Sequence, residues 1–207
     1  TETGDMNTAA RSLMGTGTSN TSALAIGGIE AGASSYNKTE LWNGTNWTEV
    51  NNLNVGKYTA AAAGTATSAL NFAGTDAPGN ISGTTESWNG TNWTEVNDLS
   101  TARNALGGAG ADNTSALAFG GGTPANTAAT ESYNGTNWTA VANLSTARRF
   151  LTGSASATAA LAFGGYTAAD SNLTEEFNTG VVGGSWATGG ALNTARYNLA
   201  GAGISSS

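Results

Sequence analysis

Cysteine and histidine are both absent from the 207 residues. Without cysteine there is no disulfide, no thiolate nucleophile and no zinc–sulfur site. Without histidine there is no Ser-His-Asp triad, no imidazole metal ligand and no ordinary general base for neutral pH. An enzyme would have to work through carboxylates such as Asp170 and Glu175, and nothing in their spacing supports one, so neither catalysis, cofactor nor metal is expected. Charge is scarce as well: 10% of residues are charged, and seven Lys and Arg against fourteen Asp and Glu leave a net −7. That balance argues against nucleic-acid backbones and anionic membrane surfaces as partners. No apolar run approaches the roughly 18 residues that span a bilayer, so no membrane insertion is expected. The chain opens on Thr1 with no basic-then-apolar leader, which reads as a processed chain or a piece of a longer one. Few large aliphatic residues would ordinarily suggest disorder. Disorder goes with high net charge and few aromatics, whereas here Trp is plentiful and the apolar residues sit at fixed intervals.

Those intervals are a repeat. Thr39-Glu-Leu-Trp-Asn-Gly-Thr-Asn-Trp-Thr48 returns at 85–94 and at 130–139, with a degraded copy from Thr174 to Trp186. A small-residue segment ending in Gly-Gly precedes each copy, at 23–28, 116–121 and 160–165, with Ala73 replacing the first Gly at 69–74. A basic residue follows, in the series Arg11, Lys57, Arg103, Arg148 and Arg196, spaced by 46, 46, 45 and 48. The repeats run from about 7–52, 53–98, 99–143 and 144–191, with a partial repeat over 192–207. Each reads as four short strands, a to d, with inner strands a expected at 11–18, 57–64, 103–110 and 148–155. Asn-Gly at 43–44, 89–90 and 134–135 predicts a two-residue c–d hairpin, setting Trp42 opposite Thr45 and Glu40 opposite Trp47. Alternation then puts Glu40, Trp42, Thr45 and Trp47 on one face, suited to packing against the next unit.

An apolar strand ending in Gly-Gly, a Tyr or Trp, a Trp after a hairpin and a basic residue opening the next inner strand together resemble the Kelch repeat, over essentially the whole chain. The resemblance implies an all-β fold, a β-propeller of four-stranded blades, used mostly for protein recognition. The enzymes known on that fold are copper oxidases that need His, Tyr and a Cys-linked ligand, a set this sequence, without His or Cys, cannot supply. The Thr-, Ser-, Asn-, Ala- and Gly-rich composition is similar to Kelch-like proteins of marine phages and bacteria, so an extracellular or virion-surface location is expected. The chain holds four full repeats plus an extra C-terminal inner strand, Arg196–Gly203, and opens with a d-type stub at 1–3. Incomplete ends of this kind invite pairing with another polypeptide.

The basic series is expected to ring one face near the axis, where the resemblance implies a grip on acidic peptides. The competing expectation is that each member pairs with a Glu of a neighbouring unit, among Glu40, Glu86, Glu131 and Glu175. The b–c loops, 29–38, 75–84, 122–129 and 166–173, vary while their surroundings repeat, and Tyr36 and Tyr166 are the side chains there able to stack on a ligand. Trp47, Trp93, Trp138 and Trp186 are expected to be buried between blades. The abundant Asn-x-Thr sequons fall in the repeated turn, where Asn serves the turn, and are not read as glycosylation sites. The functional expectation is a non-enzymatic binding or adhesion module that takes a protein or glycan surface. A subunit that self-associates through its terminal strands is the second reading, and a lectin using exposed Trp the third.

Overall fold

The computed structural model describes residues 4–30, 32, 36–180 and 183–201. It is all-β: among the described residues there is no helix, and the strands form six antiparallel sheets of two to four strands. The first unit holds β1 (Ala10–Arg11), β2 (Met14–Ser19), β3 (Ser22–Ile26), β4 (Ile29–Glu30), β5 (Thr39–Trp42) and β6 (Trp47–Val50). The second holds β7 (Lys57–Tyr58), β8 (Ala61–Gly64), β9 (Ala69–Phe72), β10 (Thr75–Asp76), β11 (Thr85–Trp88) and β12 (Trp93–Val96). The third is β13 (Gly107–Asp112), β14 (Ser115–Phe119), β15 (Thr130–Tyr133) and β16 (Trp138–Val141), and the fourth β17 (Thr152–Ser156), β18 (Ala159–Phe163), β19 (Thr174–Asn178) and β20 (Ser185–Thr188). Each unit carries one four-stranded meander, and β1–β4 and β7–β10 are two-residue ladders at the unit junctions.

The inner strands begin three or four residues later than the sequence suggests. One residue per junction stops them: Ser12, Thr59, Ala105, Phe150 and Asn198 all have φ between 49° and 54°. A left-handed residue ends strand geometry, and here it aims the peptide at the unit behind. Thr59 N–H donates to Ser12 O (3.2 Å), Ala105 to Thr59 (2.8 Å), Phe150 to Ala105 (2.7 Å) and Asn198 to Phe150 (3.0 Å). A parallel series uses the Gly-Gly segments, in which Gly28, Gly74, Gly121 and Gly165 donate to the carbonyls of Lys57, Arg103, Arg148 and Arg196. Gly121 has φ +105°, and a Cβ there would lie 2.7 Å from Asn104 O, which is why the position is glycine.

The c–d turn differs from the two-residue expectation. Trp42 faces Trp47 and Glu40 faces Glu49, so the loop is four residues, 43–46. The Asn43 side chain is the reason: its Oδ1 accepts the amides of Thr45 and Asn46, both at 2.9 Å, and only Gly44 takes positive φ. Asn89 and Asn134 do the same. Gly90 sits at φ +93° with Thr67 O 3.3 Å from its virtual Cβ, so Gly90→Val is expected to cost on the order of 1 kcal/mol or more, read by urea denaturation.

The core lies between consecutive sheets. Leu24 and Ile26 of the first sheet pack with Trp88 and Trp93 of the second, Leu70 and Phe72 with Tyr133 and Trp138, and Leu117 and Phe119 with Phe177 and Trp186. Trp93 and Trp138 are buried as expected, whereas Trp47 and Trp186 are half-buried. Trp47 belongs to the first of the four described units; Trp186 follows the stretched fourth hairpin. Residues 196–201 form no strand, although the sequence suggests an inner strand over 196–203, of which 202 and 203 lie outside the described residues; they run beside the fourth inner strand, with Gly201 against Gly153. The stub at 1–3 lies outside the described residues.

Candidate functional site

Three members of the basic series are interior. Arg103 and Arg148 are fully buried. Each guanidinium donates Nη1 to a carboxylate, Glu131 Oε1 at 2.8 Å and Glu175 Oε1 at 2.6 Å, and Nη2 to the carbonyl of Ala118 or Ala162 at 3.3 Å. The second carboxylate oxygen accepts a junction amide, Ser100 at 2.8 Å or Ser145 at 2.7 Å. Burial pushes both arginines below their ordinary pKa, against the pull of the adjoining Glu. The pairing is within one repeat and not with a neighbouring unit, because the residue that opens a unit folds back over the third strand of the same sheet. Lys57, Arg103 and Arg148 therefore hold each junction to its sheet and present no side chain to a ligand on the face.

Lys57 fits less well. It is fully buried, its Nζ donates to Thr84 O at 2.9 Å, and it stands 4.0 Å from Glu86 Oε1, which holds the amides of Asn54 and Val55. Asn71 is paired with Glu86 across the strands, where the other sheets carry alanine, and its side chain donates to Ala61 O. Desolvation pushes Lys57 down to about 8, only partly opposed by Glu86. Between about pH 8 and the ordinary lysine value the unfolded chain binds a proton that the folded chain does not. Stability should therefore rise with pH through that window, by up to about 3 kcal/mol. Urea denaturation from neutral pH upward checks this, and Lys57→Met should lose that part of the slope.

The first member of the series is one residue out of line. Arg11 pairs with Ile29, as Tyr58 does with Thr75, Asn104 with Gly122 and Arg149 with Tyr166. Ala10, not Arg11, is thus the counterpart of Lys57, and Arg11 is exposed. Glu40, buried without an arginine, is served by Asn7 N at 2.8 Å, Asn7 Nδ2 at 2.9 Å and Thr8 N at 3.1 Å. Arg196 aligns with the buried members by its carbonyl, bonded to Gly165, yet its side chain is exposed and has no carboxylate partner among the described residues.

Lys38 is paired with Glu49 at 2.8 Å, which leaves Arg11, Arg149 and Arg196 as the cations without an ion pair among the described residues. All three lie at junctions, beside the b–c loops with their acids Glu30, Asp76 and Asp170. Around Arg149 they form a built cluster that the repeat pattern did not reveal. Its guanidinium lies 5.4 Å from the Phe150 ring and 5.7 Å from Tyr166, and Tyr197 closes the group at 6.2 Å from Phe150 and 6.1 Å from Tyr166. Asn126 Nδ2 donates to the carbonyls of Tyr166 and Thr167, both at 2.9 Å, and so fixes the loop. Tyr197, at 45%, is the exposed large hydrophobic residue among those described. Tyr36 stands apart in the first unit, under Lys38 at 5.9 Å, its hydroxyl buried without a partner.

The inner strands line a cavity of about 900 Å³ without a charged side chain. The indoles of Trp42, Trp88, Trp93 and Trp138 are buried interior groups. No group of three or more metal-ligating side chains occurs among the described residues. No protein-family model matches the chain, and no curated protein sequence matches it.

Proposed function

We propose that the chain is a non-enzymatic recognition module, a Kelch-like β-propeller array displayed outside a cell or on a virion. It takes a protein or glycan surface on the face that carries Arg149, Tyr166 and Tyr197. The propeller reading is supported by four successive four-stranded meanders whose inner strands lie side by side around one cavity. The observation that carries the recognition reading is the Arg149 cluster: tyrosine and arginine held by stacking, with Tyr197 open to solvent. Tyr and Arg contribute most at protein interfaces, and aromatic faces also stack on sugars. The face is set on irregular loops above a rigid repeat, the usual place for specificity. With Arg149 on one side of Tyr166 and Asp170 on the other it offers no one-sign field and suits a neutral or mixed surface.

The test is binding to arrayed glycans and to intact cells. Arg149→Ala and Tyr197→Ala should each weaken the strongest interaction about tenfold or more, while Trp fluorescence and thermal unfolding stay unchanged. Undiminished binding by the double variant would remove this face from the proposal.

A further inference from the structure

The two ends of the array carry the two halves of an interface that the chain makes three times inside. At each internal boundary an indole of the following unit donates its Nε1 to a threonine of the preceding one: Trp93 to Thr39 at 3.0 Å, Trp138 to Thr85 at 3.1 Å and Trp186 to Thr130 at 3.2 Å. The same indoles cover Ile26, Phe72 and Phe119, each at 0% exposure. In the fourth unit the corresponding Leu161 and Phe163 are half-buried, and no indole donates to Thr174. At the other end stands Trp47, the counterpart of those indoles, half-buried and with no acceptor for its Nε1 among the described residues.

The terminal segments are likewise two copies of one element. Residues 6–17 read Met-Asn-Thr-Ala-Ala-Arg-Ser-Leu-Met-Gly-Thr-Gly, and 192–203 read Leu-Asn-Thr-Ala-Arg-Tyr-Asn-Leu-Ala-Gly-Ala-Gly. An internal junction serves two units at once. Leu99 N and Arg103 O bond to Gly83 and Gly74 of the unit behind, while the Arg103 side chain pairs with Glu131 of the unit ahead. Segment 192–201 makes the rear half of that set, Leu192 N to Asn172 O at 2.8 Å, Gly165 N to Arg196 O at 3.0 Å and Asn198 N to Phe150 O at 3.0 Å. Its forward half is empty, with Arg196 exposed and without a carboxylate among the described residues. Segment 6–13 makes the forward half on Glu40, but with Ala10 where the buried cation belongs.

We propose that segment 192–201 of one copy replaces segment 6–13 of a second copy, joining the two head to tail. Asn193 and Thr194 take over the bonds of Asn7 and Thr8 to Glu40 of the next copy. Arg196 gives that Glu40 the buried partner that Ala10 cannot. Trp47 of the next copy then seats on Phe163 and donates to Thr174. Every displaced contact is replaced in kind, and one ion pair and one covered indole are gained. The contact is heterologous, so repetition builds an open chain unless the rotation closes a ring. It shares Tyr197 with the recognition face but not Arg149 or Tyr166, so Arg149→Ala should leave assembly intact while weakening recognition.

Sedimentation velocity of the 207-residue chain tests this. Mass should climb with concentration from 20.5 kDa through its multiples. Arg196→Ala, at an exposed side chain that leaves the monomer fold undisturbed, should raise the concentration needed for assembly about tenfold or more. Ala10→Arg, which supplies Glu40 from within its own chain, should do the same while raising monomer stability. Arg196→Glu keeps the test valid if Ala10→Arg fails to fold, and it should hold the chain monomeric. A wild-type chain that stays monomeric at all concentrations, or an assembly indifferent to Arg196→Ala and Arg196→Glu, overturns the proposal.

Discussion

Arg148→Ala is expected to destabilise the chain by about 3–5 kcal/mol, which few single domains survive. Arg148 is fully buried, and its removal strands Glu175, itself only 1% exposed, with one junction amide, Ser145 N, as its remaining donor. The cost is that of an unpaired buried carboxylate and not the intrinsic strength of the pair. Two controls separate these. Glu175→Gln leaves Arg148 an oxygen to bond, and Arg148→Met with Glu175→Gln removes both charges while keeping volume, so the double variant should recover most of the loss. Urea denaturation of the three variants decides the matter: a double variant as damaged as Arg148→Ala would show that packing, not charge, holds this junction.

Trp138→Ala should cost a similar amount, about 3–5 kcal/mol, for a different reason. Its ring meets Phe72 of the second sheet at 5.0 Å and Tyr133 of its own at 5.1 Å, and its Nε1 donates to Thr85. Truncation opens a cavity between two sheets that no side chain can enter without moving a strand. Trp138→Phe keeps most of the ring and loses the N–H, so about 1–2 kcal/mol is expected. Trp47→Ala, at the same place in the repeat but half-buried, should cost clearly less in the monomer. Equal losses at Trp138 and Trp47 would mean that the indoles stabilise their own hairpins and not the boundary between sheets.

That the chain is all-β, with four-stranded antiparallel sheets, was legible in the sequence, because alternation sends Leu70 and Phe72 one way and Trp88 and Trp93 the other; the two-residue ladders and the absence of a strand at 196–201 were not. The turn was misjudged because Asn-Gly has two ways to close a hairpin. The side chain of Asn43, by accepting two amides, selects the longer one and shifts the register from Thr45 to Trp47 opposite Trp42. For the basic series the glutamate partners Glu86, Glu131 and Glu175 are the ones expected, but they lie in the same unit and not a neighbouring one, and equal spacing in sequence does not give Arg11 and Arg196 the same position. Ala9-Ala10-Arg11 and Ala102-Arg103-Asn104 differ by one residue, and one residue separates the interior from solvent. The Arg149 cluster was invisible to a search for repetition, since nothing in it repeats. The pair Arg149-Phe150, two free bulky groups where other junctions carry Asn104-Ala105 or Tyr58-Thr59, was the available signal.

The bonds that run from Ser12 through Thr59, Ala105 and Phe150 to Asn198 touch each unit once, at the residue where it leaves the unit behind. An amide in the middle of a sheet exchanges its proton with solvent only when that sheet opens. The amides of Thr59, Ala105 and Phe150 exchange when two sheets part, even if both stay folded. The molecule thus carries two clocks, one for the melting of a unit and one for the separation of units. Their difference measures how far the array behaves as one body or as a row of independent ones.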